Sequence, residues 1–479
     1  MTVSPTPPTR RAFLGASAAA AAAGTLGLPG AAAGAATSDG TVSHQTRGPG
    51  QPVTPQEPDR ELAALLREID EDRIERLVRT LVSFGTRHTL STQDDPERGI
   101  GAARDWIFAE LQSYAAESGG WMTVELQSFI QQPVSRVPEP TRITNVVATL
   151  RGTASPERIY VVSGHYDSRV SDVMNSESDA PGADDDASGV AAVMEMARVM
   201  ASRPTEATVV FAAVAGEEQG LLGSRHMARQ FKEAGADIQA MFTNDIVGSS
   251  TADDGTRDAR SVRLFAEGVP TAETPQQAAV RRSVGGENDS PARQLARFVG
   301  SVAENGATGM SVRVIYRRDR FLRGGDQIAF LEQAYPAARF TEVNEDFRHQ
   351  HQDVRVEDGV RFGDLVEFCD FAYMARVARV NAAALWSLAQ GPGMPRNVAI
   401  LTDRLTNDTD LAWDRGTEAD LAGYEVVWRE TTEPEWTNVI AVGDVTSTTI
   451  NLSKDNVFFG VRAVDRDGHR SPVVFPVPS

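Results

Sequence analysis

Three short apolar runs, each ending in side chains that can bind a cation, constrain this chain more than any other feature. Residues 159–163 lead into Gly164-His165-Tyr166-Asp167, residues 208–214 into Ala215-Gly216-Glu217-Glu218, and residues 240–243 into Asn244-Asp245-Ile246-Val247-Gly248. Runs this short and β-branched, separated by stretches of helical period, predict strands alternating with helices. The fold expected is α/β, with a mostly parallel mixed sheet sandwiched by helices. Ligands of such sheets bind beyond the carboxyl ends of the strands. One His and several carboxylates at that edge suit a borderline cation such as zinc better than a thiolate site would.

At 479 residues the chain is too long for one ordinary core, so two domains plus tails are expected. Its formal charge of -19 would repel nucleic-acid phosphates and anionic lipid, which argues against both as partners. The single cysteine, Cys369, cannot form an intramolecular disulfide and reads as a small buried hydrophobe near Phe368 and Phe371. Thr9-Arg10-Arg11-Ala12-Phe13-Leu14, followed by an Ala/Gly-rich stretch and small residues at 31–36, resembles a twin-arginine export signal. That stretch is too short and too weakly apolar for a membrane anchor. Residues 1–36 are therefore expected to be a removable signal for secretion to the outside of the cell. Their loss takes away two arginines and no acid, carrying the charge from -19 to -21.

A polar, Pro-containing linker is expected over residues 37–58. Leu62, Leu65, Leu66 and Ile69, then Ile74, Leu77, Val78 and Leu81, recur at helical spacing. A second helix is predicted over 101–115, strands over 122–129 and 145–150, and a crossover helix over 188–201. Residues 249–262 read as a flexible insertion, and a helix over 359–388 closes a large domain spanning 59–390. Gly391-Pro392-Gly393-Met394-Pro395 marks a boundary. Beyond it, over 396–479, short alternating runs at 410–413, 423–428, 447–452 and 458–464 predict a small β-sandwich with Trp413, Tyr424 and Trp428 in its core. It resembles a fibronectin type III domain, a fold from which no function follows. Contact with a cell surface or a polymer is one expectation for such a module.

The chemistry is concentrated between His165 and His349. Asp167 lies on the same side of an extended chain as His165 and can accept a hydrogen bond from the imidazole. Asp184-Asp185-Asp186 immediately precede an apolar helix. Capping accounts for one or two of these acids, and the third, at the mouth of the site, invites a cation. Glu217 and Glu218 stand side by side at a strand end, where like charges repel unless a metal takes one of them as ligand. Asp245 repeats the pattern, against the plainer reading of an Asx turn.

Four motifs now stand in order: GHYDS at 164–168, GADDDASG at 182–189, AGEEQGLLGS at 215–224 and NDIVG at 244–248. They resemble those of the co-catalytic di-zinc aminopeptidases, peptidase family twenty-eight, over roughly residues 61–388. The resemblance implies the zinc-exopeptidase fold, of the phosphorylase/hydrolase-like kind, and two zinc ions. It assigns His165 and Glu218 to different ions and Asp185 to both, with Asp245 completing the site of His165. Glu217 becomes the general acid/base, with Asp167 beside it in the catalytic group. The last ligand should be a His followed four residues later by Asp. In His349-Gln350-His351-Gln352-Asp353 that selects His349 and leaves His351 as the competing choice.

The family commonly has Ser-Asp-His in the substrate pocket, whereas this chain has Gly325-Asp326-Gln327, so Asp326 and Gln327 are the expected pocket residues. The activity implied is removal of N-terminal residues from peptide or protein substrates by metal-activated water. Arg317, Arg318, Arg320 and Arg323 suggest an opposite possibility, a carboxylate-binding patch for a carboxypeptidase or dipeptidase. A glutaminyl cyclase on the same scaffold is a further alternative. A non-catalytic binding relative would be expected to lack Glu217 or one of the ligands.

Overall fold

The computed structural model describes residues 48–479. The predicted export signal and residues 37–47 of the predicted linker lie outside the described residues. The described chain opens with a two-residue strand, β1 (Gln51–Pro52), followed by helices α1 (Arg60–Arg67), α2 (Glu71–Ser83) and α3 (Gly99–Glu117). Asp59 and Asp70 start the first two helices by accepting hydrogen bonds from the amides of Leu62 and Asp72, at 2.7 and 3.0 Å. This satisfies N–H groups that the first helical turn leaves free. The apolar stripes predicted from the spacing are buried.

Eight strands form the central sheet: β2 (Met122–Gln131), β3 (Thr141–Leu150), β4 (Ser155–His165), β5 (Ala207–Val214), β6 (Asp237–Asn244), β7 (Ser261–Phe265), β8 (Ser311–Ile315) and β9 (Ala337–Thr341). They lie in the order β2-β3-β5-β4-β6-β9-β7-β8. The central four are parallel, while β3 joins β5 and β7 joins β9 antiparallel. Successive side chains face opposite layers. Tyr160 and Val162 enter a large core with α1 to α3, α4 (Ala187–Ala201), α7 (Pro291–Ala303) and α9 (Phe371–Gln390). Val161 enters the smaller core with α5 (Leu222–Glu233) and α8 (Gln327–Leu331). α6 (Pro275–Val284) carries no buried residue.

Two expectations are corrected here. The closing helix begins at Phe371, where the Asp370 carboxylate accepts from the Tyr373 amide at 2.9 Å, and not near Gly359. Residues before it form a hairpin of β10 (Arg355–Glu357) and β11 (Val360–Phe362). The turn between them places Gly359 at φ +80°, a conformation incompatible with a continuing helix. Residues 249–262 are tied in place: Thr251 bridges to Arg257, and Arg257 reaches Asp370 at 2.7 Å.

The remaining strands build a second layer pair. These are β12 (Arg396–Ile400), β13 (Thr409–Asp414), β14 (Leu421–Glu430), β15 (Asn438–Gly443), β16 (Ser447–Ile450), β17 (Val457–Asp465) and β18 (Val477–Pro478). The two four-stranded sheets, β1-β15-β14-β17 and β16-β13-β12-β18, enclose Trp413, Tyr424 and Trp428 as expected. The end of the predicted linker belongs to this sandwich: Gln51 pairs with Val439, and the Trp428 indole donates to the Pro49 carbonyl at 2.7 Å.

The sandwich is locked onto the α/β layers through buried polar groups. Asp289 on the α/β side meets Arg297 at 2.9 Å and Arg429 of β14 at 2.7 Å, all three nearly inaccessible. The Trp436 indole donates to Gln294 at 2.9 Å, and Arg158 donates to the Gly391 carbonyl at 2.7 Å. Residues 48–479 accordingly form one compact unit. Breaking a buried ion pair from one side leaves an uncompensated charge, so Arg429→Ala should cost about 3 kcal/mol, the low end of such losses because Arg297 remains. Denaturant unfolding measures it; a change below about 1 kcal/mol would show that Asp289 does not depend on the sandwich.

His469 is a second tie. Its Nδ1 lies 3.0 Å from Asp465 and its Nε2 3.2 Å from Asp59, the residue that caps α1. The hydrogen bond with Asp465, ahead of the charge effects, raises its pKa to about 9 against the burial that lowers it. A folded-state pKa raised above 6.5 adds stability that is complete below that value and lost as pH rises through about 9. His469→Gln should therefore lower stability at pH 6 by roughly the 1 kcal/mol expected of a partly exposed pair, seen as a lower melting temperature, and leave it unchanged at pH 10.

Candidate metal and catalytic centre

Because β5, β4, β6 and β9 run parallel, their carboxyl ends open on one edge, and every candidate ligand follows one of them. His165 ends β4, Asp185 precedes α4, Glu217 and Glu218 follow β5, and Asp245 follows β6. The loop after β9 supplies the last group. Two triads result: His165, Asp185 and Asp245, and Asp185, Glu218 and His351, each with ligand-type atoms within 4.8 Å of one another. Asp185 belongs to both. Its Oδ1 lies 3.1 Å from His165 Nε2 and its Oδ2 2.8 Å from His351 Nε2, which is also 2.9 Å from Glu218 Oε1. His165 Nε2 stands 3.8 Å from Asp245.

The choice of His349 is corrected by this geometry. His349 stacks on Phe368 with ring centroids 3.6 Å apart, and its Nδ1 faces Asp346 at 3.7 Å. The chain turns over 346–350 and places His351 at φ +53°, so the two imidazoles point to different sides. A spacing rule counted along the sequence cannot see that turn. Ile246 and Leu221, in the turns after β6 and β5, are also left-handed, at φ 64° and 59°. A β-branched residue held there is strained and persists only where its surroundings determine it.

The other acids divide their tasks. Asp186 caps α4 by accepting from the Gly189 amide at 3.0 Å, and also accepts from His165 N at 2.9 Å and Ile246 N at 3.3 Å, joining three ligand-bearing turns. Asp184 accepts from Gly248 N at 2.7 Å. The Asp185–Asp186 peptide is cis. Asp364 accepts from the amides of Asp184 and Asp185, both at 2.7 Å.

Asp167 acts differently from expectation. His165 Nδ1 meets its backbone carbonyl at 3.1 Å, while the carboxylate is 3.6 Å away and accepts from the amides of Glu217 and Glu218 at 3.2 and 3.1 Å. It thus fixes the turn that carries both glutamates. Asp326 is buried with both oxygens unpartnered, and its charge acts on Glu217. Gln327 is spent on donating to the Arg318 carbonyl at 3.1 Å and to Asp319.

Two supporting residues carry no motif. Arg339, fully buried in β9, holds Asp245 at 2.8 Å, and Thr89 donates to Asp167 at 2.9 Å. The arginine inside the apolar run Ala337-Ala338-Arg339-Phe340 was the only available signal.

Burial and convergence of like charge make this edge electrostatically strained. Burial raises Glu217 well above the usual carboxylate range, with Asp245, Glu218 and Asp326 adding to it against the pull of His165. Burial works against charging His351, but Glu218 and Asp185 raise it to about 10. His165 Nε2 and Glu218 Oε1 are buried and close to partners without the alignment of a hydrogen bond. Imidazole nitrogens and carboxylate oxygens left in this way fit the donor set of zinc. A cation also removes the repulsion among the carboxylates.

Comparison with known proteins agrees with this geometry. Residues 145–356 match the model of peptidase family M28. A probable zinc metalloprotease of Leptosphaeria maculans is 55% identical over 421 residues, covering 88% of this chain and 98% of that protein. One of Pyrenophora tritici-repentis is 54% identical over 431 residues, covering 90% of this chain and 89% of its own. The chain belongs to peptidase family M28 and is a metallopeptidase. The LapA aminopeptidase of Legionella pneumophila shares the fold at 18% identity, with a TM-score of 0.50 over 70% of this chain and 78% of that one.

His351→Ala should weaken zinc binding in calorimetric titration, whereas His349→Ala, which loses only a stacked ring, should leave it unchanged. Equal losses in the two variants would mean that the turn rather than the ligand is being measured.

Proposed function

We propose that the protein is a secreted di-zinc exopeptidase, an aminopeptidase that releases N-terminal residues from peptides or proteins. The observation that carries this reading is the pair of triads sharing Asp185, with Glu217 beside them. Zinc is the metal in the names of the relatives, and the His and carboxylate donors suit it. His165, Asp185 and Asp245 would hold one ion, and Asp185, Glu218 and His351 the other. When bound, zinc supplies Lewis acidity toward the scissile carbonyl and toward water. Glu217 takes the proton of the attacking water and returns it to the leaving amine. Asp167, through the two amides it holds, keeps that base at a fixed distance from the ligand Glu218.

The acid-rich mouth favours an α-ammonium group, and Asp326, buried, unpartnered and within electrostatic reach of Glu217, is the residue suited to bind it. A carboxypeptidase would need free cations there. Arg320 and Arg323 are already paired with Glu345 at 3.0 and 2.8 Å, leaving only Arg317 and Arg318 of that patch without a carboxylate partner among the described residues.

Export by the twin-arginine route and removal of residues 1–36 complete the reading. The C-terminal sandwich, taken as fibronectin type III-like, serves attachment to a cell surface or polymer. Neither nucleic acid nor membrane insertion fits a chain with a formal charge of -19 in which no described helix is long and apolar enough to cross a bilayer.

Matched free, N-acetylated and C-amidated peptides test the direction of attack: cleavage should survive amidation and stop on acetylation. The reverse pattern would make the enzyme a carboxypeptidase. Glu217→Gln should lower kcat by about 10² to 10⁴-fold while zinc content stays at two per chain. Loss of zinc in that variant would mean that Glu217 is a ligand.

A further inference from the structure

Of the arginines at 317–323, Arg320 and Arg323 are committed to a buried carboxylate, and what they hold is the wall of the metal centre. Glu345 in the loop after β9 is only 5% exposed in its side chain. It is met by Arg263 at 2.9 Å, Arg320 at 3.0 Å and Arg323 at 2.8 Å, and Gln350 donates to it at 3.2 Å. Arg323 also donates to Gln350 at 2.7 Å. From Arg320 the network continues to Asp319 at 3.2 Å, from Asp319 to Arg339 at 3.5 Å, and from Arg339 to Asp245 at 2.8 Å.

One end of this network is the neighbour of His351, and the other end is a member of the opposite triad. The turn it grips matters because His351 sits at φ +53°, a conformation a non-glycine residue keeps only where its surroundings impose it. Against burial, which works to raise it, Arg320, Arg323, Arg339 and Arg263 hold the Glu345 carboxyl well below the usual range.

We propose that Glu345 is a positioning residue of the metal centre. By gathering Arg320, Arg323 and Gln350 it fixes the turn that aims His351 at Asp185 and Glu218, and through Asp319 and Arg339 it braces Asp245. It touches neither substrate nor the reacting atoms. The inference rests on the metal-binding reading above, and it predicts an effect on binding that activity alone would not isolate.

The test is calorimetric titration of the full chain with zinc, alongside turnover of a small peptide. Glu345→Gln keeps the shape and removes the charge. It should weaken one of the two zinc-binding steps by about 10-fold or more, the loss typical when a residue supporting a ligand is changed. It should also lower kcat with KM changed less than about 2-fold, which marks a loss felt after substrate binding. Arg323→Gln, at the partly exposed rim, should do the same more weakly and guards against a misfolded Glu345 variant. Arg313→Ala, which breaks a surface pair with Asp258, should change neither. In the His351→Ala background, the part of the Glu345→Gln effect that acts through His351 should vanish and only the smaller effect through Asp245 remain, a non-additivity that general destabilisation does not produce.

Unchanged zinc affinities in both Glu345→Gln and Arg323→Gln would overturn the assignment while leaving the metallopeptidase reading intact. Misfolding of Glu345→Gln together with unchanged binding in Arg323→Gln would overturn it equally. If the unaltered protein binds no zinc, the metal reading itself fails, and this inference with it.

Discussion

The structure depends on a concentration of negative charge at the carboxyl edge of a parallel sheet. Asp185, Glu218 and Asp245, all buried, gather around His165 and His351, and the charges of Asp245, Glu218 and Asp326 act on Glu217 beside them. Left to themselves, these carboxylates would separate or take up protons. They stay together because each backbone turn that presents them is tied to another turn. Asp186 joins the ends of β4 and β6 to the start of α4, Asp167 joins β4 to the turn after β5, and Asp364 holds the amide of Asp185 itself. The acids that do not face the triads are thus the ones that aim those that do.

This division explains why so many acids stand in one motif. Of three consecutive aspartates, the middle one faces both triads. The first and last are consumed by backbone amides. A cation at the centre offsets the charge that the fold has brought together. Metal affinity and folding are therefore coupled through the same residues.

Some of the positive charge is used in depth. Arg339 lies wholly inside the sheet against Asp245, and Arg320 and Arg323 are bound to Glu345. Away from the metal centre in the chain, Arg429 and Arg297 share Asp289 and so join the sandwich to the α/β layers. The segment around Gln51 adds a strand to the sandwich before the chain enters α1. The two layers are in this way closed from both ends of the described chain, and the sandwich is part of the same unit.

Much of this was legible in the residues. The alternation of β4, α4, β5, α5 and β6 follows from the period of apolar side chains, which local geometry enforces wherever one face is buried. His165, Glu217, Glu218 and Asp245 were legible as candidates because they stand at or just beyond strand ends, and Asp185 because it stands among acids just before α4. The last ligand was not, because the choice between His349 and His351 is made by a left-handed turn held from outside by Arg323, Gln350 and Glu345. The roles of Asp167 and Arg339 were likewise decided by partners distant in sequence, as was the pairing of residues 51–52 with β15. Local pattern alone determined which elements form and which chemistry their ends carry. The packing of distant loops decided which of two neighbouring imidazoles reaches the centre, since side-chain direction after a turn depends on contacts that no spacing along the chain contains.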